Sequence, residues 1–137
     1  MGKKMTFDEL LARKEQREAD RMRIGEITVP GTDQVLEVRT PGDKAVMSIY
    51  GSLMGAESPE DALDASRKAI YDCCPALQDG KLHAALECQA EPIRVVDRLF
   101  NVAEIDAMGG DVLRFLHLIP EKTKAAGENP GEETVKN

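Results

Sequence analysis

The sequence predicts an α+β fold that is mainly α: an N-terminal helix, one antiparallel β-hairpin, and then a bundle of about five short helices. Polar cap residues such as Thr6, Ser58 and Asn101 precede acidic side chains, which is the usual signature of a helix start. Apolar residues then recur at three- and four-residue spacing, as on the buried face of a helix. Between Ile24 and Thr40 the spacing changes to alternation of period two, which indicates strands.

The first helix is predicted to begin at Phe7, because Thr6 and Glu9 form a capping-box pattern. Its first turns carry a short apolar stripe of Phe7, Leu10 and Leu11. Residues 12–21 are charged or polar apart from two alanines, so we expect this arm to project from the body or to fray. The stripe fits self-association and packing on the core equally well, and it is the predicted partner-binding surface.

Two strands are predicted, from Ile24 to Val29 and from Val35 to Thr40, because apolar and polar residues alternate in each. Pro30-Gly31 lies between them and indicates a turn in which glycine supplies the positive φ. A two-stranded hairpin is not stable by itself, so we expect it to lie on the helices.

Five helices are expected after the hairpin. They run from about Val46 to Gly55, from Pro59 to Pro75, from Gly80 to Cys88, from Pro92 to Phe100, and from Asn101 to Ile119. In the first of them, Ile49 and Tyr50 are placed on one amphipathic stripe together with Val46 and Leu53. In the last, Gly109-Gly110 is expected to kink the helix or to split it in two.

Length and charge indicate one globular domain at residues 24–119, with a helical arm at 1–23 and a polar, disordered tail at 120–137. The net charge is −7, and residues 24–119 hold eight basic and sixteen acidic side chains. Such an acidic body argues against nucleic-acid binding, which needs clustered cations. No apolar run approaches the roughly 18 residues of a membrane span, and the start lacks a signal-peptide core. We expect the chain to stay in the compartment where it is made.

Cysteine and histidine are the residues with the most reactive side chains here, namely Cys73, Cys74, Cys88, His83 and His117. An odd cysteine count with two adjacent thiols favours a reducing cytosol over a disulfide framework. The spacings match no zinc-site pattern, so we expect core cysteines and surface histidines. A helix C-terminus next to the paired cysteines should raise their thiol pKa, which disfavours a nucleophile. No catalytic residue, metal site or cofactor is therefore predicted. Carboxylates such as Asp97 and Asp111 are expected on solvated helix faces.

The order of elements around Ile70–Leu77 (IYDCCPAL) carries a family resemblance. A short helix from Leu82 to Leu86 follows, and then the segment RVVDRLFNVAEIDAMGGDVLRFL. This order resembles that of the XkdN-like phage tail assembly chaperones, in which a helix ends in a Cys/Pro/Leu-type segment. A final helix pair in that family holds an L-x-x-x-E-x-x-x-L pattern, which Leu99, Glu104 and Met108 roughly follow. The resemblance covers about residues 5–118 and involves no catalytic motif.

The resemblance implies a non-enzymatic chaperone. Such a protein binds the tape measure protein, a long helix-rich chain, and keeps it soluble while tail-tube protein assembles around it. It would act in the cytoplasm of the bacterial host and be absent from the mature virion. The alternative is a small cytosolic adaptor or regulatory protein that binds another protein partner. A thiol- or metal-dependent enzyme is a third class, which would depend on Cys73, Cys74 or Cys88.

Overall fold

The structure is a computed structural model that describes residues 2–121, and it confirms the predicted α+β, mainly α fold. The order is α1 (Phe7–Arg21), β1 (Ile24–Thr28), β2 (Val35–Arg39), α2 (Asp43–Met54), α3 (Pro59–Cys73), a 3₁₀ turn (Pro75–Gln78), α4 (Gly80–Ala85), a 3₁₀ turn (Pro92–Arg94), α5 (Val95–Leu99) and α6 (Val102–Phe115). Five α-helices thus follow one hairpin in this part of the chain. The predicted disordered tail lies outside the described residues from position 122 onward.

The hairpin is antiparallel, and its inner face packs on the helices. Gly25 pairs with Val38, and Ile27 pairs with Leu36. Ile27 and Val38 are buried, as the alternation predicts. Gly31 has φ +80°, which confirms the predicted role of glycine in the turn. A side chain at Gly25 would lie 2.9 Å from the ring of Phe115, so glycine is needed where β1 crosses α6.

The core is formed mainly by α3 and α6, which pack along their length, with α2 and the hairpin against them. Ser58 caps α3 by accepting a hydrogen bond from the Asp61 N–H at 3.1 Å. Asn101 and Glu104 cap α6 reciprocally, at 2.8 and 2.9 Å. The largest fully buried side chains are Ile49, Ile70, Ile105, Met108, Val38, Val95, Val96, Val112, Cys73 and Cys74.

The prediction that Gly109-Gly110 splits the last helix in two is wrong, because α6 is continuous from Val102 to Phe115. Gly109 is buried against Ser66 of α3, and a Cβ there would lie 2.8 Å from the Ser66 Cα. The close packing of α3 on α6 offsets the poor helix propensity of glycine, which is about 1 kcal/mol per residue. Gly109 therefore lets the two helices approach closely, and α6 continues unbroken through it.

Two helices end earlier than predicted, α4 at Ala85 and α6 at Phe115. After α6, the N–H of Leu118 donates to the Leu113 carbonyl, and that of His117 donates to the Arg114 carbonyl. After α4, Cys88 and Glu87 repeat the same pattern, donating to the carbonyls of His83 and Ala84. Both ends are Schellman motifs.

The left-handed position of these motifs is usually glycine, but here it holds Glu87 at φ 59° and His117 at φ 61°. Because neither position holds glycine, the sequence contains no glycine signal for the ends of these two helices.

The segment before α5 also differs from expectation. Pro92 opens a 3₁₀ turn, Pro92–Arg94, and the α-helix covers only Val95–Leu99. Among the residues that the structure describes, no helix has both the length and the apolar character needed to cross a membrane.

Candidate protein-binding surface

The predicted partner-binding residues Phe7, Leu10 and Leu11 lie on α1 and are exposed, at 74%, 55% and 47%. No residue of α1 is buried. Of the two readings that the sequence left open, packing on the core of the same chain is therefore wrong. The helix does form, because Thr6 and Glu9 make the predicted capping box at its start.

The other end of α1 is attached to the body at the start of α2. Arg17 donates a hydrogen bond to the Asp43 carboxylate at 3.0 Å, and Arg21 lies 3.7 Å from the same group. The Thr40 hydroxyl donates to the Asp20 carbonyl at 3.1 Å. The hydrogen bond from Arg17, helped by both guanidinium charges, lowers the pKa of Asp43 from its ordinary value of 3.8. This exposed junction holds α1 in place without burying it.

A second apolar stripe lies on the outer face of α2, and it was not predicted from the sequence. Met47, Tyr50 and Met54 are 70%, 44% and 59% exposed. Placing Tyr50 on the stripe of Ile49 was wrong, since Ile49 is fully buried and Tyr50 faces solvent. The signal in the sequence was the spacing of these three residues, which puts them on one face of a helix.

The two stripes are related through the Asp43 junction. On α1, Leu10, Lys14, Arg17 and Arg21 follow the spacing 4-3-4, and on α2 the same spacing joins Asp43, Met47, Tyr50 and Met54. Residues at this spacing share one side of an α-helix. The faces that meet at the junction are therefore the faces that carry Leu10 and the α2 stripe.

The three cysteines are buried and free, as expected of core residues. Burial raises the pKa of Cys73 and of Cys74 to about 12. The raised pKa was predicted from the helix dipole, whereas its main cause is removal of the thiols from water. At neutral pH these thiols are protonated and enclosed by apolar side chains, which is the opposite of an activated nucleophile.

The histidines differ from each other. His83 was expected on the surface, but it is buried, and its Nε2 lies 2.8 Å from the Leu77 carbonyl and 3.4 Å from the Tyr71 hydroxyl. His117 is exposed as expected, with Nε2 2.9 Å from Arg23. Between residues 2 and 121, no three His, Cys, Asp or Glu side chains come together in a group able to hold a metal ion.

An open groove of about 1420 Å³ runs between α2, α3 and the segment before α5. Arg67 is one of its lining residues; it donates to Asp97 at 3.0 Å and also pairs with Asp64. Asp97 is exposed on α5, as predicted for a solvated helix face, and its ion pair with Arg67 also joins α3 to α5. Asp111 likewise accepts from Arg114 at 3.1 Å. The charged side chains that line the groove balance one another, four basic against four acidic, whereas the two stripes carry no charge.

Comparison with protein-family models, with curated proteins and with solved structures finds no match for this chain. The candidate surface therefore rests on the exposure and spacing of its own residues.

Proposed function

We propose that this protein is a non-enzymatic chaperone that binds amphipathic helices of a partner protein through the exposed stripes of α1 and α2. The observation that carries the proposal is the exposure of Phe7, Leu10 and Leu11 on a helix that buries none of its residues. Monomeric proteins seldom expose contiguous apolar patches of this kind unless the patch binds something. Apolar helix faces are a common docking mode for a partner helix.

The side chains of the α2 stripe suit a partner whose helices vary in sequence. Met47 and Met54 are unbranched and adaptable, so they can fit apolar side chains of different shapes. Tyr50 between them adds a rigid aromatic surface with a polar end. Such a surface supports binding many helical segments of a long chain in preference to one sequence.

The XkdN-like resemblance supplies the partner in this proposal. The bound chain is the tape measure protein, kept soluble in the cytoplasm of the bacterial host while tail-tube protein assembles around it, and the chaperone is absent from the mature virion. A long, helix-rich chain before assembly exposes many apolar helix faces. The stripes of α1 and α2 offer a matching surface for such faces.

A co-expression experiment tests the proposal. The cognate tape measure protein is produced with this chain or alone, and the soluble fraction is measured after centrifugation. The chain should raise that fraction several-fold, and the double variant Leu10→Glu, Leu11→Glu should lose most of the effect because a charge cannot be buried unpaired against an apolar helix.

The matched control is Val102→Glu, which changes an apolar residue of α6 that is 65% exposed and lies outside both stripes. With this variant, the soluble fraction of the tape measure protein should be as high as with the natural chain. Unchanged solubility of the tape measure protein with the natural chain would refute the proposal. A soluble complex in which the double variant works equally well would refute the assigned surface.

A further inference from the structure

The stripes of α1 and α2 extend away from the junction at which the two helices meet. Leu10 lies seven residues before Arg17, about 10 Å along α1, and Met54 lies eleven residues after Asp43, about 16 Å along α2. The contacts between the helices are at Arg17, Arg21 and Asp43, and both stripes remain exposed. In one copy of the chain the two stripes therefore do not cover each other.

The exposed area of the stripes approaches what a standard interface takes from each partner. Phe7, Leu10, Leu11, Met47, Tyr50 and Met54 are on average more than half exposed. With a side chain of this size presenting about 200 Å², the two stripes together expose roughly 700 Å². Specific interfaces bury about 800 Å² per partner, so contact over both stripes comes close to the area of a standard dimer interface.

We propose that two copies of this chain form a two-fold symmetric dimer in which the α1 stripe of each copy packs on the α2 stripe of the other. The contact occurs twice, as symmetry requires when two different faces of one chain meet. Each α1 already stands beside its own α2 at Asp43, so the four helices come together around the two junctions. The dimer gives α1 the apolar cover that its own chain does not provide.

This dimer has a consequence for the proposed function, although its existence does not depend on that function. The side chains that would contact a partner helix are the ones buried between the two copies. A partner must therefore compete with self-association, and the free protein keeps its apolar stripes away from unrelated chains. The dimer is measured on the purified protein alone, so its failure and the failure of the chaperone function are distinguishable.

Sedimentation velocity of the full chain over roughly 1–300 µM tests the dimer, a range that covers micromolar dissociation constants. The natural chain should shift from monomer to dimer with concentration. Leu10→Glu on α1 and Met54→Glu on α2 should each raise the dissociation constant at least tenfold. Both residues are exposed, and circular dichroism verifies that the variants are folded. Val102→Glu should leave the constant unchanged.

Mixing the two variants tests the pairing of α1 with α2. In a dimer of one Leu10→Glu copy and one Met54→Glu copy, one contact joins two altered stripes and the other joins two natural stripes. The mixture should therefore associate more tightly than either variant alone. A protein that stays monomeric, a dimer that both variants leave intact, or a mixture that regains nothing would each overturn the proposal.

Discussion

Gly109 of α6 lies directly against Ser66 of α3, and a Cβ at Gly109 would stand 2.8 Å from the Ser66 Cα. Ser66 is itself buried, and the atom in conflict belongs to the backbone, so it cannot turn aside. This contact sets how closely the two central helices of the core approach. The neighbouring Gly110 is different, because a Cβ there would meet only the end of the Arg114 side chain at 3.4 Å.

The two glycines should therefore respond in opposite ways to alanine. Gly109→Ala is expected to lower the free energy of unfolding by about 1–3 kcal/mol, since α3 and α6 must move apart. Gly110→Ala should be neutral or stabilising by up to about 1 kcal/mol, because alanine favours the helix and Arg114 can shift. Urea denaturation of both variants measures this difference. Equal effects would contradict the assigned contact.

The two Schellman motifs give a second prediction. Glu87 holds a left-handed conformation that costs an L-residue roughly 1 kcal/mol, and its side chain is exposed. Glu87→Gly should stabilise the protein by several tenths of a kcal/mol up to about 1 kcal/mol. His117→Gly should gain less, since it also removes the contact with Arg23. Thermal and urea unfolding compare the two variants, and destabilisation by Glu87→Gly would count against the motif.

The two capping boxes should differ in what their loss does. Asn101→Ala removes the cap of α6, which carries five buried residues, and should lower the free energy of unfolding by about 1 kcal/mol. Thr6→Ala removes an equivalent cap from α1, which carries none, and should reduce helix content while leaving the unfolding midpoint of the body unchanged. Circular dichroism with urea titration checks both. Equal shifts in midpoint would mean that α1 is part of the cooperative core.

The junction of α1 with α2 should depend on pH in the acidic range. The hydrogen bond from Arg17 lowers the pKa of Asp43, so docking is favoured above the ordinary value of 3.8 and is lost as the pH falls through the lowered value. The NMR chemical shifts of residues 17–21 are compared between the natural chain and Asp43→Asn. The two sets should agree at low pH, where the junction is lost in both, and differ at pH 7. Identical spectra of the natural and Asp43→Asn chains at pH 7 would show that the junction is absent.

The paired thiols predict a loss of stability at high pH. Burial raises the pKa of Cys73 and Cys74 to about 12 from the ordinary 9.0, so folding favours the protonated thiols. Their contribution is complete below about pH 9 and falls above it, on the order of 1 kcal/mol per pH unit for each thiol, until the folded pKa is reached. Urea unfolding from pH 8 to 11 should show a steeper decline for the natural chain than for Cys73→Ala. Parallel curves would contradict burial as the cause.

The starts of the capped helices and the hairpin were readable from the sequence because they depend on local chemistry. Thr6, Ser58 and Asn101 each satisfy backbone N–H groups within three residues, and Gly31 supplies a local φ. Helix ends were less readable, since Glu87 and His117 occupy a position where glycine is the usual signal. The helix starts and the hairpin turn are enough to predict the fold class. The exact bounds of the elements also depend on the helix ends.

Burial on a particular face was the hardest property to predict, because it depends on which elements meet. Ile49 and Tyr50 are neighbours in sequence and both fit an amphipathic stripe, but α3 covers only the side of α2 that holds Ile49. His83 was assigned to the surface by residue type, whereas the carbonyl of Leu77 gives its ring a buried partner. The exposure of Phe7, Leu10 and Leu11 likewise could not be predicted without knowing that no other element covers the start of α1.

Since α1 buries none of its residues, its sequence is released from the constraint of fitting the core. Most of its positions can change without a penalty in folding, provided that the cap at Thr6 and the arginines at Asp43 are kept. The exposed face of α1 can therefore vary independently of the fold. Under the proposed function, a different amphipathic helix grafted between Thr6 and Arg17 would change which helices the same body binds.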